Sequence, residues 1–204
     1  KVGLTGFKWI AKFIKDNPHQ QFIGGGEESF GFMVGDAVRD KDAIAAILLV
    51  SEIAAQAKAK GNTLYEYLIE LYVKFGFYKE HLISITKKGI EGANEIKQMM
   101  VNLRENPVSE IAGAKVVCIE DYQSSTAKDF IKNEAYSIDI PKSNVLIYYL
   151  EDGSKICARP SGTEPKIKFY FSVNKPLNNK KEFYKTDEEL SLRINDIIKA
   201  MNLC

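Results

Sequence analysis

The sequence predicts an α/β layered unit followed by an α+β domain whose antiparallel sheet is flanked by helices. Three observations support this. Up to about residue 80, strand-like and helix-like stretches alternate, as layered α/β units require. Beyond it, short apolar runs are joined by a hairpin signal, with helical patterns at either end. The length of 204 residues allows one large domain or two small ones. The expected division is 1–82 and 83–204.

In chain order, residues 5–15 suit a helix that puts Phe7, Ile10 and Phe13 or Ile14 on one face, stopped by Asp16-Asn17-Pro18. "QQFIGGGEESFGFMVG" reads as a short strand broken by a glycine-rich turn. The next stretch, to Gly61, can be capped by Asp40 or Asp42. Its apolar residues go nearly all round, which predicts a well-buried helix. Thr63 with Glu66 fits a capping box, and Leu64, Tyr67, Leu68, Leu71, Tyr72 and Phe75 keep the helical period until Gly76.

In the second half, "LISITKKG" reads as a linker strand, with a hinge expected near residues 80–90. Ile96, Met99, Met100 and Leu103 mark an amphipathic helix that stops before Pro107. "AKVVCIEDY", "NVLIYYL", "KICAR" and "KIKFYFSV" read as strands, with a tight turn at Glu151-Asp152-Gly153-Ser154. Residues 174–182 are polar and read as a mobile loop. Thr186 with Glu189 suggests a second capping box, opening a last helix buried through Leu190, Ile194, Ile197, Ile198 and Met201.

Composition narrows the function. A net charge of +1 gives no bulk attraction to nucleic acid or membrane, so any anion site must be local. No apolar run reaches the length of about 18 residues that a spanning helix needs. Cys118, Cys157 and Cys204 form no CxxC and no even framework, which points to free thiols in a reducing, cytoplasmic setting. With His19 and His81 as the only histidines, the chain argues against a zinc site.

The 159–163 stretch is the strongest chemical signal. Arg159 supplies a planar fork of donors, and Ser161 and Thr163 supply hydroxyls. Gly162 allows close backbone approach, and Lys166 and Lys168 share one strand face. Together they suit a phosphate dianion. An ordinary loop whose arginine pairs with a surface carboxylate fits the composition equally well. Near the start, Glu27 and Ser29 point the same way on an extended segment and suit adjacent sugar hydroxyls. A solvent-facing pair in a flexible turn is the plainer alternative. Lys8 stands in the first turn of a helix, a place suited to an anion. A solvated surface lysine explains it as well.

The order of the letters discriminates. "RPSGTEPKIKFY" resembles the phosphate-binding loop in the last domain of the α-D-phosphohexomutases, the phosphoglucomutase and phosphomannomutase superfamily. The resemblance implies that Arg159, Ser161, Gly162 and Thr163 grip the phosphate that is not being transferred. Lys168 falls where many members have arginine. "GEESFG" (26–31) is similar to the sugar-binding loop of the third domain, which implies hydroxyl-binding roles for Glu27 and Ser29. Other members carry a GEMSGH form with a histidine implicated in proton transfer; this chain has Gly31 there. "LTGFKWI" resembles the segment whose lysine lies beside the transferred phosphoryl group. That implies electrostatic or acid/base assistance by Lys8.

The resemblance spans essentially the whole chain, most of a third domain and then a fourth. It implies the C-terminal part of an isomerase that interconverts hexose 1-phosphate and hexose 6-phosphate. The family works through a phosphoserine, Mg2+ and a hexose 1,6-bisphosphate. The family's TASHNP-like serine loop and DGDxDR-like metal loop do not occur in these 204 residues. The chain is therefore expected to bind no metal and to be inactive by itself. The missing N-terminal domains and a hexose phosphate would be its partners, with no nucleic acid or membrane. A non-catalytic phosphosugar-binding module and a phosphopentomutase are the alternatives.

Overall fold

The computed structural model describes residues 6–27 and 31–203. It divides into two compact units, Lys1–Leu68 and Ile69–Cys204.

The first unit opens with helix α1 (Phe7–Asp16). Its buried positions Phe7 and Ile14 are seven apart, two helical turns, and they pack with Met33, Ile10 and Phe22 into a small core. Asn17 ends the helix, its side-chain amide donating to the Phe13 carbonyl at 2.8 Å. A two-stranded antiparallel ribbon follows, β1 (Gly24–Glu27) and β2 (Gly31–Val34), with Glu27 opposite Gly31.

Helix α2 (Ala43–Ala59) is capped by Asp42, whose carboxylate accepts from the Ile44 and Ala45 amides at 3.0 and 3.3 Å. The expectation that α2 is well buried does not hold. Only Ala57 is buried, while Ile44 is 81% and Ile47 68% exposed. Apolar composition records a capacity for burial; a ribbon of two four-residue strands is too small to cover a 17-residue helix. Helix α3 (Leu64–Phe75) has the expected capping box. The Thr63 hydroxyl accepts from the Glu66 amide at 3.1 Å, and the Glu66 carboxylate accepts from the Thr63 amide at 2.7 Å. Gly76, at φ +95°, ends it in a conformation that disfavours a side chain.

The second unit is built on an eight-stranded antiparallel sheet. Its strands are β3 (Phe77–Thr86), β4 (Glu110–Ile111), β5 (Ala114–Asp121), β6 (Thr126–Asp129), β7 (Glu134–Ser137), β8 (Leu146–Leu150), β9 (Lys155–Pro160) and β10 (Lys166–Lys175). The spatial order is β3-β10-β9-β8-β5-β6-β7, with β4 pairing on β5. Helices α4 (Gly89–Glu105) and α5 (Phe183–Ala200) pack on this sheet. The core between them holds Ile96 and Met100 of α4, Leu190, Ile194 and Ile197 of α5, and the alternate residues Ile167, Phe169, Phe171 and Val173 of β10. Tyr148 reaches through this layer and donates to the Leu103 carbonyl at 2.6 Å.

Several expectations change here. The stretch read as a linker is part of β3, a ten-residue edge strand paired with β10 along its whole length. The expected division at 82–83 falls inside that strand. Thr186 is not a cap. α5 starts three residues earlier, behind a 3-10 turn (Lys180–Glu182) capped by Asn179, and Thr186 is buried. Glu189 pairs instead with Lys175 at 2.5 Å. The polar 174–182 segment is anchored: Leu177 is buried in the core, and Lys180 pairs with Glu70 at 2.6 Å. A single leucine beside one proline and seven polar residues gave no periodic signal. Strands β4, β6 and β7 were not foreseen, being short and, in β7, exposed throughout.

Candidate functional site

β9 and β10 form a hairpin; Arg159 and Pro160 end β9, and the connection, residues 161–165, carries the S-G-T that follows them. The turn is held by its own backbone. The Ser161 amide donates to the Lys166 carbonyl and the Lys166 amide to the Glu164 carbonyl, both at 2.7 Å. The Ser161 hydroxyl accepts from the Thr163 and Glu164 amides at 3.4 and 3.3 Å, a serine-type turn. β3 braces the far side, where the Lys87 amide donates to the Pro165 carbonyl at 2.9 Å.

Register decides which side chains meet. Lys168 lies directly opposite Arg159, and Ile167 opposite Pro160. Opposite residues in an antiparallel pair share a face, with Cβ atoms about 5 Å apart. Ile167 and Phe169 enter the core, so Lys166, Lys168 and Arg159 stand together on the other face. With Pro160, Ser161, Gly162 and Glu164 they line a cavity of about 250 Å3. Nothing lies within 4 Å of where a Cβ on Gly162 would sit, so its backbone is open to a ligand. Thr163 is exposed and is not among the lining residues.

Like charges set directly opposite one another repel. Three cations and one carboxylate on one concavity leave a local excess of positive charge, suited to a dianion. A larger cavity, about 500 Å3, lies at the other end of β10, between Val73–Tyr78 and Asn174–Asn178. Lys175 there is already paired with Glu189, and the cations do not converge in the same way.

In the first unit, Glu27 ends β1 and is half-buried. Ser29 lies outside the described residues. Lys8 is exposed in the first turn of α1, its ammonium 5.4 Å from the Trp9 ring centroid. Phe7 joins it to the ribbon: a Cβ on residue 31 would run into the Phe7 ring and meet the Glu27 side chain at 3.1 Å. The ring has taken the space a side chain would need, so position 31 must be glycine. Phe7, next to Lys8 in the chain, and Glu27 both flank position 31. Among the described residues, no three His, Cys, Asp or Glu side chains converge as a metal site. No described helix is long and apolar enough to cross a membrane.

Comparison with known proteins gives likenesses of sequence and of fold. Residues 3–75 match the family described as phosphoglucomutase/phosphomannomutase, alpha/beta/alpha domain III. A phosphoglucomutase of Staphylococcus aureus strain MRSA252 is 43% identical over 177 residues, covering 86% of this chain and 32% of that protein. That of strain MSSA476 is 43% identical over 174 residues. The chain thus spans about a third of the length of these relatives. The open form of parafusin, a phosphoglucomutase of Paramecium, has a similar fold. Its TM-score is 0.55 at 22% identity, over 96% of this chain and 33% of that one. With its two loops and this likeness, the chain is similar to a part of the phosphoglucomutases, and residues 3–75 match that family's domain III.

Proposed function

We propose that this chain supplies the sugar- and phosphate-binding loops of an enzyme that interconverts hexose 1-phosphate and hexose 6-phosphate. The observation that carries the reading is the cross-strand pair Arg159–Lys168, with Lys166 beside it, around the R-P-S-G-T turn. Arg159 grips two phosphate oxygens with its fork and Lys168 adds a third contact as a point charge. The Gly162 backbone offers close approach and the Ser161 hydroxyl completes the cradle, while the Thr163 hydroxyl reaches the phosphate only from the exposed rim of the turn. Glu27, with Ser29, accepts from adjacent ring hydroxyls. Lys8 stabilises charge on the phosphoryl group in transfer.

In this reading a phosphoserine outside these residues donates its phosphoryl group to the sugar. A hexose 1,6-bisphosphate forms, turns end for end and returns its other phosphate. Such transfer is mostly positioning and charge stabilisation. The loops suit the turn because each reads a local group, phosphate or hydroxyls, whichever carbon bears the phosphate. In phosphohexomutases Mg2+ supplies charge neutralisation at the serine. The described residues offer no ligand set for it, so no step here is assigned to it.

Calorimetric titration of the chain with inorganic phosphate and with glucose 6-phosphate tests the reading. Arg159→Ala should weaken both at least about tenfold, as loss of a bidentate charged contact; undiminished binding would remove the phosphate assignment. A coupled mutase assay on the chain alone should show no turnover, and a full family rate would contradict the division of labour. Binding without turnover, even when the chain is joined to the serine- and metal-bearing domains of a relative, would favour the non-catalytic phosphosugar module. A preference for pentose phosphates would favour a phosphopentomutase.

A further inference from the structure

We propose that Glu164 is the residue by which the 159–168 cradle distinguishes a hydroxylated phosphate ester from bare phosphate. The inference rests on the phosphate reading of that loop and deepens it. Glu164 lines the same cavity as Arg159, Lys166 and Lys168. For phosphate alone a carboxylate there is the wrong charge: it repels the ligand and offsets one of three cations. Its position is not accidental to a floppy turn. Its amide donates to the Ser161 hydroxyl and its carbonyl accepts from the Lys166 amide, so the backbone at 164 is held from both sides. Among the described residues, no ion pair or side-chain hydrogen bond engages the Glu164 carboxylate. It is not consumed in neutralising a neighbour.

A carboxylate lining an anion site can only accept hydrogen bonds. A ligand that brings an oxyanion alone meets repulsion there. A ligand whose hydroxyls lie within reach of its own phosphate group presents donors, and a charge-assisted hydrogen bond replaces the repulsion. Glu164 therefore taxes bare phosphate and rewards a polyol phosphate, raising the contrast between them from both directions. A site using cations alone would bind bare phosphate and phosphate esters with little distinction.

The two effects have opposite signs, which makes the test sharp. The full chain and its Glu164→Ala and Glu164→Gln variants are titrated with inorganic phosphate and with glucose 6-phosphate. Glu164→Ala should bind inorganic phosphate about three- to tenfold more tightly, because a like charge is gone. It should bind glucose 6-phosphate about tenfold more weakly, because a charged acceptor is gone. Glu164→Gln should show the first gain and a smaller version of the second loss, since its carbonyl still accepts. Both ligands gaining together would make Glu164 a passive electrostatic neighbour and overturn the proposal, as would no change in either. Arg159→Ala reports separately on the parent reading. If it weakens both ligands while the Glu164 variants do nothing, the phosphate site stands and the discrimination falls. If wild type binds neither ligand, both fall.

Discussion

At the scale of single residues, two glycines show how differently the same letter is used. Gly162 faces open space, so its role is access. Gly31 faces the Phe7 ring and the Glu27 side chain, so its role is packing. Gly31→Ala should therefore force Phe7 out of the small core of the first unit. We expect a loss of about 1–3 kcal/mol, as for overpacking, read by chemical denaturation followed at Trp9. Gly162→Ala should leave stability unchanged and weaken phosphate binding. The same geometry explains why this chain cannot carry a histidine at position 31 on the present backbone. The sequence exposed the substitution; only the packing gave its reason.

At the scale of elements, caps and registers carry the argument. The Thr63–Glu66 box satisfies two amides at the start of α3. Thr63→Ala should cost about 1 kcal/mol, measurable as a lowered midpoint in urea. The matching spacing at Thr186 and Glu189 makes no cap, because the preceding turn lets α5 begin earlier and draws Thr186 inward. A capping motif names residues able to cap, and the chain's path decides whether they meet an open helix end. β10 is the element on which the site depends. One face carries Ile167, Phe169, Phe171 and Val173 into the core, and the other carries Lys166 and Lys168 to the cradle. Phe171 is fully buried, and Phe171→Ala should cost about 3–5 kcal/mol by leaving a cavity.

At the scale of the whole molecule, burial of tyrosines ties stability to alkaline pH. Burial pushes the Tyr148 phenol up to about 12. Tyr122 and Tyr149, which both donate to the Glu120 carboxylate, are also raised, first by burial and then by that negative charge. An unfolded tyrosine ionises near 10. Between those values the folded chain holds protons that the unfolded chain has released, so unfolding becomes easier as pH rises. This stability is complete below about pH 10 and is lost as pH climbs toward 12. Denaturation at pH 8 and pH 11, with phenolate absorbance followed alongside, checks it. Tyr148→Phe should flatten the pH dependence and lose the bond to the Leu103 carbonyl.

The sequence by itself determined the fold class, the helices α1, α3 and α4, the strands β5, β8, β9 and β10, and the likeness to phosphoglucomutases. Period, caps and a long ordered motif are local properties, written in neighbouring letters. The tertiary structure decided that Arg159 stands across from Lys168, that Phe7 fills the space at Gly31, and that Leu177 anchors a polar segment. It also decided that α2, apolar nearly all round, is left mostly exposed in this unit. Those are matters of register and of which surfaces meet. They depend on the path of residues far apart in the chain, and no local pattern records that path.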